Sequence, residues 1–453
     1  MRHSVLVPGS KRLNPPEVLD RTAISPIADK AYWPTIEVRS GRFCPCPGPA
    51  SSSFFDPMHT VTEKIFIPAE TRSLDTADPT RKIPGDEGRQ VQEGTALCLS
   101  GGGYRAMLFH LGALIRMNEL GFLKKLNRVS SVSGGSITAG ILGLKWRKLI
   151  FDGRGVAANF AEEVTHPIQG LAGATIDVGC IARGLFLPGS IADYLARAYH
   201  EHLFGNATLQ DLPNEQSGPR FVINASNVQS GALWRFSQPY MWDYRVGKVK
   251  EPIVSLSRAV AASSAFPPVL SPMTLDLRPF RFEPNSGQDL QRPPFTEQAV
   301  LTDGGVYDNL GLETAWKRYE QILVSDGGGA LEVEEHPHRN WFAHAYRVLF
   351  LINNQVGALR KRQVIRSYKD GSRSGAYWGI RTNIADYELP DAIRFDRKRS
   401  LALSAVPTRL ARLDKATQEG LMEWGYAVSD AALRKHVVSR ENGVASLCPS
   451  KGN

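Results

Sequence analysis

Cysteine is scarce and scattered in this sequence: Cys44, Cys46, Cys98, Cys180 and Cys448 are odd in number and follow no repeated metal-ligand spacing. That pattern excludes a disulfide framework and fits a reducing compartment. Cys44 and Cys46, with only Pro45 between them, have no second Cys/His pair at ligand spacing, so no metal or cofactor is expected. Long apolar runs are also missing. None reaches the roughly 18 residues of a membrane span, and the first residues lack the apolar stretch of about 7–15 residues that marks a signal peptide. Zinc-finger spacing, an RNP signature and basic-region heptads are absent too, so nucleic acid is not an expected partner.

What is present reads as a folded globular chain, with 42% hydrophobic and 22% charged residues against which disorder would be unusual. The net charge of +9 favours an anionic partner. With nucleic-acid signatures missing, a lipid surface is the better candidate, and a cytoplasmic protein peripheral at a membrane is expected.

Residues 1–90 carry Pro/Gly/Ser-rich stretches such as Cys44–Pro57 and little periodicity, as an irregular extension would. Order begins at Thr95. The apolar run Thr95–Ser100 stops at Gly101, Gly102 and Gly103, after which Met107, Leu108, Leu111, Leu114 and Ile115 recur at helical spacing. A second unit follows: a strand over Arg128–Val132, a tight turn over Ser133–Ser136 and an apolar helix over Ile137–Ile150. Two such units in tandem predict an α/β fold, with a mainly parallel central sheet between two helical layers. Ser190 and Asp193 stand at capping-box spacing before a helix reaching Leu203. Strands are predicted over Phe221–Ala225, Leu233–Ser237, Val300–Thr302 and Ile322–Ser325, with a polar insertion over Asp276–Gln298. Residues 91–335 thus form the expected core, and 336–453 a mainly helical part packed on it, with helices over Trp341–Tyr368 and Thr417–Arg434.

Two constellations carry chemistry. The glycines at 101–103, between strand and helix, leave amide N–H groups unpaired at the positive helix end, which suits a phosphate or a developing oxyanion. Gly101, Gly103 and Ala106 also satisfy G-x-G-x-x-A, although the following strand does not end in the acid that a dinucleotide site uses. The second constellation is Ser131-Val132-Ser133-Gly134-Gly135. A serine on a sharp strand-to-helix turn projects its hydroxyl above the sheet, and the turn closes only when the residues two before and two after are small. A helix N-cap is the ordinary alternative for such a serine.

A nucleophilic serine needs a base. His110 falls on the apolar stripe of the first helix, as a hydrogen-bonded core histidine would. His336, His338 and His344 lie late in the chain, where a triad esterase of the α/β-hydrolase type would carry its histidine, yet none has a distinctive motif. Asp303 ends an apolar strand in Thr302-Asp303-Gly304-Gly305. A turn aspartate is its plain reading.

Taken in order, Gly101–Arg105 (GGGYR), the serine turn at 131–135, Ala261–Pro268 (AASSAFPP) and Asp303–Asn309 (DGGVYDN) resemble the patatin-like phospholipases over roughly residues 95–330. The resemblance implies a Ser-Asp dyad of Ser133 and Asp303. It also implies an oxyanion hole at Gly101, Gly102, Gly103 and Arg105, phospholipid or lysophospholipid substrates, and no cofactor. Ser131, Ala106 and Gly311 depart from the family pattern, each with a small residue. The second Asp-Gly-Gly, at Asp326, falls where the family has a strand and a glycine-rich turn.

Trp341, Phe342, Tyr346, Leu349 and Ile352 lead into Arg360, Lys361, Arg362 and Arg366 on one predicted helix. A helix lying on an anionic bilayer has such a pattern. Burial in a core with solvated arginines at the helix end is the preferred expectation.

Overall fold

The computed structural model describes residues 91–186, 189–329, 331, 333–337 and 339–438. The expected extension over 1–90 lies outside the described residues, as do Cys44, Cys46, Cys448 and His338.

The two glycine-terminated units form as read. Strand β1 (Gln92–Leu99) leads to helix α1 (Gly103–Glu119), and β2 (Leu126–Ser131) leads to α2 (Gly134–Lys145). Helix α2 starts three residues earlier than predicted because Gly134, Gly135 and Ser136 join its first turn. After α3 (His166–Ala172) and α4 (Asp177–Phe186), α5 (Ile191–Tyr199) opens with the expected capping box. Ser190 Oγ accepts from the Asp193 amide and Asp193 Oδ2 from the Ser190 amide, each at 3.1 Å, which satisfies two amides at the helix start.

A meander follows: β3 (Arg220–Asn227), β4 (Ala232–Phe236), β5 (Tyr240–Asp243) and β6 (Gly247–Lys250). Helix α6 (Leu256–Ser263) precedes the hairpin of β7 (Met273–Asp276) and β8 (Gln298–Asp303), whose connection is the predicted polar insertion. Short helices α7 (Gly305–Asp308) and α8 (Glu313–Trp316) lead to β9 (Tyr319–Asp326). The chain continues through α9 (Trp341–Lys369), β10 (Ser374–Gly379), α10 (Arg397–Ser404) and α11 (Lys415–Leu433).

Among the described residues ten strands form one sheet, eight of them in the order β10-β9-β1-β2-β3-β4-β5-β6, with β8 joining β3 off that path and β7 pairing β8. The first five in that order run parallel, and β4 to β6 continue antiparallel. The 336–453 part is therefore not helical throughout, since β10 extends the sheet beside β9.

Two cores flank the sheet, as the period-2 alternation along β1 requires. Leu97 and Leu99 join α1, α2 and α11 on one face. Ala96 and Cys98 pack with Leu310, Leu312, Ala315 and Val364 on the other.

Strand β3 positions the site. Along one edge its first half pairs with β2 up to Ser131↔Ile223, and its second half pairs with β8 from Asp303↔Ala225. Strand β8 is antiparallel to β3, so it ends heading toward the turn where β2 stops.

Helix α9 departs from expectation. Of its 29 residues only Val364 and Ser367 are buried, so its apolar stripe is not core. The N-terminal stretch has too few neighbouring elements to cover it. Among the described residues no helix is long and apolar enough to cross a membrane.

Candidate active site

Ser133 caps α2 with φ 51° and ψ −120°, a left-handed conformation that costs a non-glycine residue about 1–3 kcal/mol. Its amide donates to Ser263 Oγ at 2.9 Å, and Ser263 Oγ is also 2.9 Å from Ser136 Oγ. Ser136 Oγ donates to Ser131 Oγ at 3.0 Å, and Ser131 Oγ to the Val222 carbonyl at 3.3 Å. This buried hydroxyl chain holds the turn from behind, and it explains why serine serves at 131: the site accepts a small side chain that can hydrogen-bond. Ser263, at the end of α6 within the AASSAFPP segment, was not singled out from the sequence. A buried hydroxyl without a charged neighbour carries no local signature.

The glycine turn packs directly on this elbow. A Cβ placed on Gly134 would come 2.2 Å from the Gly103 carbonyl oxygen, and one on Gly101 would come 3.2 Å from Ser133 Cβ. Gly102 has φ 144°, which sends the chain from β1 into α1 at once. The Gly102, Gly103 and Gly134 amides have no acceptor among the described residues. The Gly101 amide donates to the Asn309 carbonyl at 3.1 Å and is thus unavailable to a ligand, contrary to the oxyanion role expected for it. Gly134, the residue after the serine, was missed; its open amide follows from the elbow geometry itself.

Arg105 differs from its expected role as well. It is buried, its Nε donates to the Gly327 carbonyl at 3.1 Å, and Nη1 donates to the Val406 carbonyl. Burial lowers its pKa to about 10, against the attraction of Asp326. Only Nη2, buried and without a partner, remains for a ligand.

Asp303 is 2% exposed. Its Oδ1 accepts from the Gly305 amide at 2.7 Å, and Oδ2 has no partner at full hydrogen-bond geometry. Burial raises the carboxyl pKa to about 7, against the lowering effects of the Gly305 amide and the Ser133 hydroxyl beside it. Long catalytic hydrogen bonds are common before substrate tightens a site.

The other candidate bases are engaged by other partners or stand outside the cleft. Asp326 Oδ2 is 2.6 Å from Lys361 Nζ and accepts from the Tyr377 hydroxyl at 2.7 Å. Burial alone would raise its pKa, but Lys361, Tyr377 and the Gly328 amide hold it below the ordinary value. His110 is the buried, hydrogen-bonded histidine expected: Nε2 lies 2.9 Å from the Ser100 carbonyl, which can only accept, and Nδ1 lies 2.7 Å from Ser325 Oγ. Burial lowers its pKa to about 4, so it is neutral. His336 and His344 are exposed, and among the described residues no histidine lines the cleft. No acid stands at the end of β2 for a ribose, so the dinucleotide alternative lacks its acid as well.

Ser133, Asp303 and the glycine turn open on a cleft of about 720 Å³, within the range of small-ligand sites. Ile181, Phe266, Val269, Leu270 and Phe350 make much of its wall apolar.

Residues 97–316, which contain all of these loops, match the family model described as patatin-like phospholipase. The chain carries a patatin-like phospholipase domain. No curated protein matches the chain. Among solved structures it is similar to human GIVD cytosolic phospholipase A2, with a TM-score of 0.47 and 13% identity, over 79% of this chain and 63% of that one. The same human protein in complex with methyl gamma-linolenyl fluorophosphonate gives a TM-score of 0.44 and 14% identity, over 79% and 60%. VipD from Legionella pneumophila gives 0.30 and 14%, over 77% and 67%. The chain thus spans about three fifths of the human phospholipase structures.

The patatin-like match ends at residue 316. Asp326, Tyr346, Phe350, Lys361 and Arg409, which also line the cleft, come from the part of the chain beyond it.

Proposed function

We propose that this protein is a serine acyl hydrolase that cleaves phospholipid or lysophospholipid esters with Ser133 as nucleophile and Asp303 as base. The observation that carries the reading is the pairing of a strained serine with a buried carboxyl of raised pKa, beside amides without acceptors. A carboxyl poised at about pH 7 can take a proton and return it within one cycle.

Ionised Asp303 accepts the Ser133 hydroxyl proton as Oγ bonds to the ester carbonyl carbon. The carbonyl oxygen gains the negative charge, and the Gly102, Gly103 and Gly134 amides are the donors best disposed to stabilise it. Collapse breaks the bond to the leaving alcohol, which takes the proton from Asp303 and leaves an acyl-serine. Water then attacks the acyl carbon, gives a proton to Asp303, and the carboxylic acid departs as Ser133 recovers its proton. The apolar cleft wall suits an acyl chain, and Arg105, a lining residue whose Nη2 is buried without a partner, suits an anionic headgroup.

Labelling with a fluorophosphonate, with mass mapping of the modified residue, tests the reading. Modification at Ser133 is expected, together with acid release from a mixed phospholipid and lysophospholipid panel. A Ser133→Ala protein that retains wild-type turnover would refute it.

A further inference from the structure

Helix α9 has two unlike faces. Its C-terminal part is anchored: Arg360 Nη1 lies 3.1 Å from Glu313 Oε2, Lys361 Nζ 2.6 Å from Asp326 Oδ2, and the Tyr368 hydroxyl donates to the Ile322 carbonyl at 2.6 Å. The preceding stretch from Trp341 to Leu359 has no buried residue. One face of that stretch, including Tyr346, Phe350 and Gly357, forms a wall of the cleft.

The opposite face carries Trp341 at 80% exposure, Val348 at 39%, Ile352 at 55% and Leu359 at 60%. At 3.6 residues per turn these four fall within an arc of about 40°, turned away from the cleft. Arg362 and Arg366 continue the same side, exposed and without an ion pair among the described residues. A water-facing helix has no use for such a stripe, and a contiguous exposed apolar face with flanking arginines is what an interfacial helix presents. The exposed apolar side chains are not confined to α9. Val178 and Phe186 are exposed on α4, whose Ile181 lines the cleft, and Val269 is 42% exposed at the cleft itself.

We propose that the outer stripe of α9 docks on an anionic lipid bilayer, with Trp341, Val348, Ile352 and Leu359 entering the interface and Arg362 and Arg366 meeting lipid phosphates. The proposal rests on the acyl-hydrolase reading and names the surface from which that cleft draws substrate. Charge chooses the occupant: the chain is +9 overall, and of the two exposed arginines at the end of the stripe only Arg366 has an acidic neighbour, Asp370, at a distance beyond an ion pair, which leaves positive charge there for an anionic surface. Because the inner face of the same helix walls the cleft, docking places the cleft one helix diameter, roughly 10 Å, from the lipid surface.

The test is flotation of the full chain with phosphatidylcholine vesicles, with and without phosphatidylglycerol, beside Ile352→Glu/Leu359→Glu and Arg362→Gln/Arg366→Gln variants. The wild type should float with the anionic vesicles. The glutamate variant should bind them at least about tenfold more weakly, and the glutamine variant about fivefold more weakly per charge removed. Neither variant touches the cleft, so both should melt like the wild type and still react with a fluorophosphonate in the absence of vesicles. Flotation unchanged in the glutamate variant would overturn the proposal, as would binding that is equal with and without phosphatidylglycerol. A dimer in solution that the glutamate variant dissociates would assign the stripe to a second copy and overturn it too. Failure of the acyl-hydrolase reading would appear separately, as no labelling of Ser133 in any of the proteins.

Discussion

Ser131 and Asp303 sit two positions apart along one edge of β3, Ser131 paired with Ile223 and Asp303 with Ala225. Strand β2 leaves that edge into the elbow just where antiparallel β8 arrives, so two segments far apart in sequence deliver a hydroxyl and a carboxyl to one point. The register is critical, because a one-residue slip of β8 would turn the Asp303 side chain to the other side of the sheet. The Asp303 amide, donating to the Ala265 carbonyl at 2.9 Å, helps to prevent that slip.

Ester hydrolysis should rise with pH along a single limb centred near 7, because Asp303 accepts a proton only when ionised and its pKa stands at about 7. The measurement is kcat/KM on a soluble ester between about pH 5 and 9. A limb near the ordinary aspartate value would assign the base elsewhere.

Asp303→Asn should nearly abolish turnover while stabilising the fold at high pH. Between about pH 4 and 7 the folded protein holds a proton on Asp303 that the unfolded chain has released, so stability falls as pH rises through that window. A shift from 3.8 to about 7 corresponds to a gain of up to about 4 kcal/mol for the neutral amide above pH 7, and to almost none below about pH 4. Denaturant melts at both pH values check the sign.

Ser263→Ala should loosen the elbow. It removes the acceptor of the Ser133 amide, and a buried donor left without a partner costs about 1–3 kcal/mol of stability. Because Ser263 lies behind the nucleophile, not in the cleft wall, kcat should fall with KM little changed. Steady-state kinetics and thermal melts on the same preparation read both effects.

Gly134→Ala should be more damaging than its single methyl suggests. The new Cβ would stand 2.2 Å from the Gly103 carbonyl oxygen, and both sides of that contact are backbone, which relaxes poorly. Overpacking of this kind costs about 1–3 kcal/mol. It would also push the glycine turn from the serine, so fluorophosphonate labelling should fail even in the fraction that stays folded.

The first half of the fold was legible locally. Strand, glycine turn and helix followed one another twice with buried apolar runs, and those patterns depend on neighbouring residues alone. The capping box at Ser190 and the strand ending at Asp303 were visible for the same reason. Helix α9 was legible as a helix but not as an exposed one, since periodicity reports an apolar face and not what covers it. Strand β10 was missed between the two helices predicted in the mainly helical C-terminal part, since its register is set by β9 rather than by its own composition.

The sequence by itself determined where the chemistry-bearing turns lie and which residue types occupy them, because a left-handed serine, a triple glycine and a strand-ending aspartate are local demands on the backbone. Tertiary structure alone decided which amides stay open, that Gly101 donates to Asn309 and Arg105 to two carbonyls, and that Asp303 is buried deeply enough to titrate near 7. Hydrogen-bond partners and desolvation come from segments hundreds of residues apart, and no local pattern encodes them.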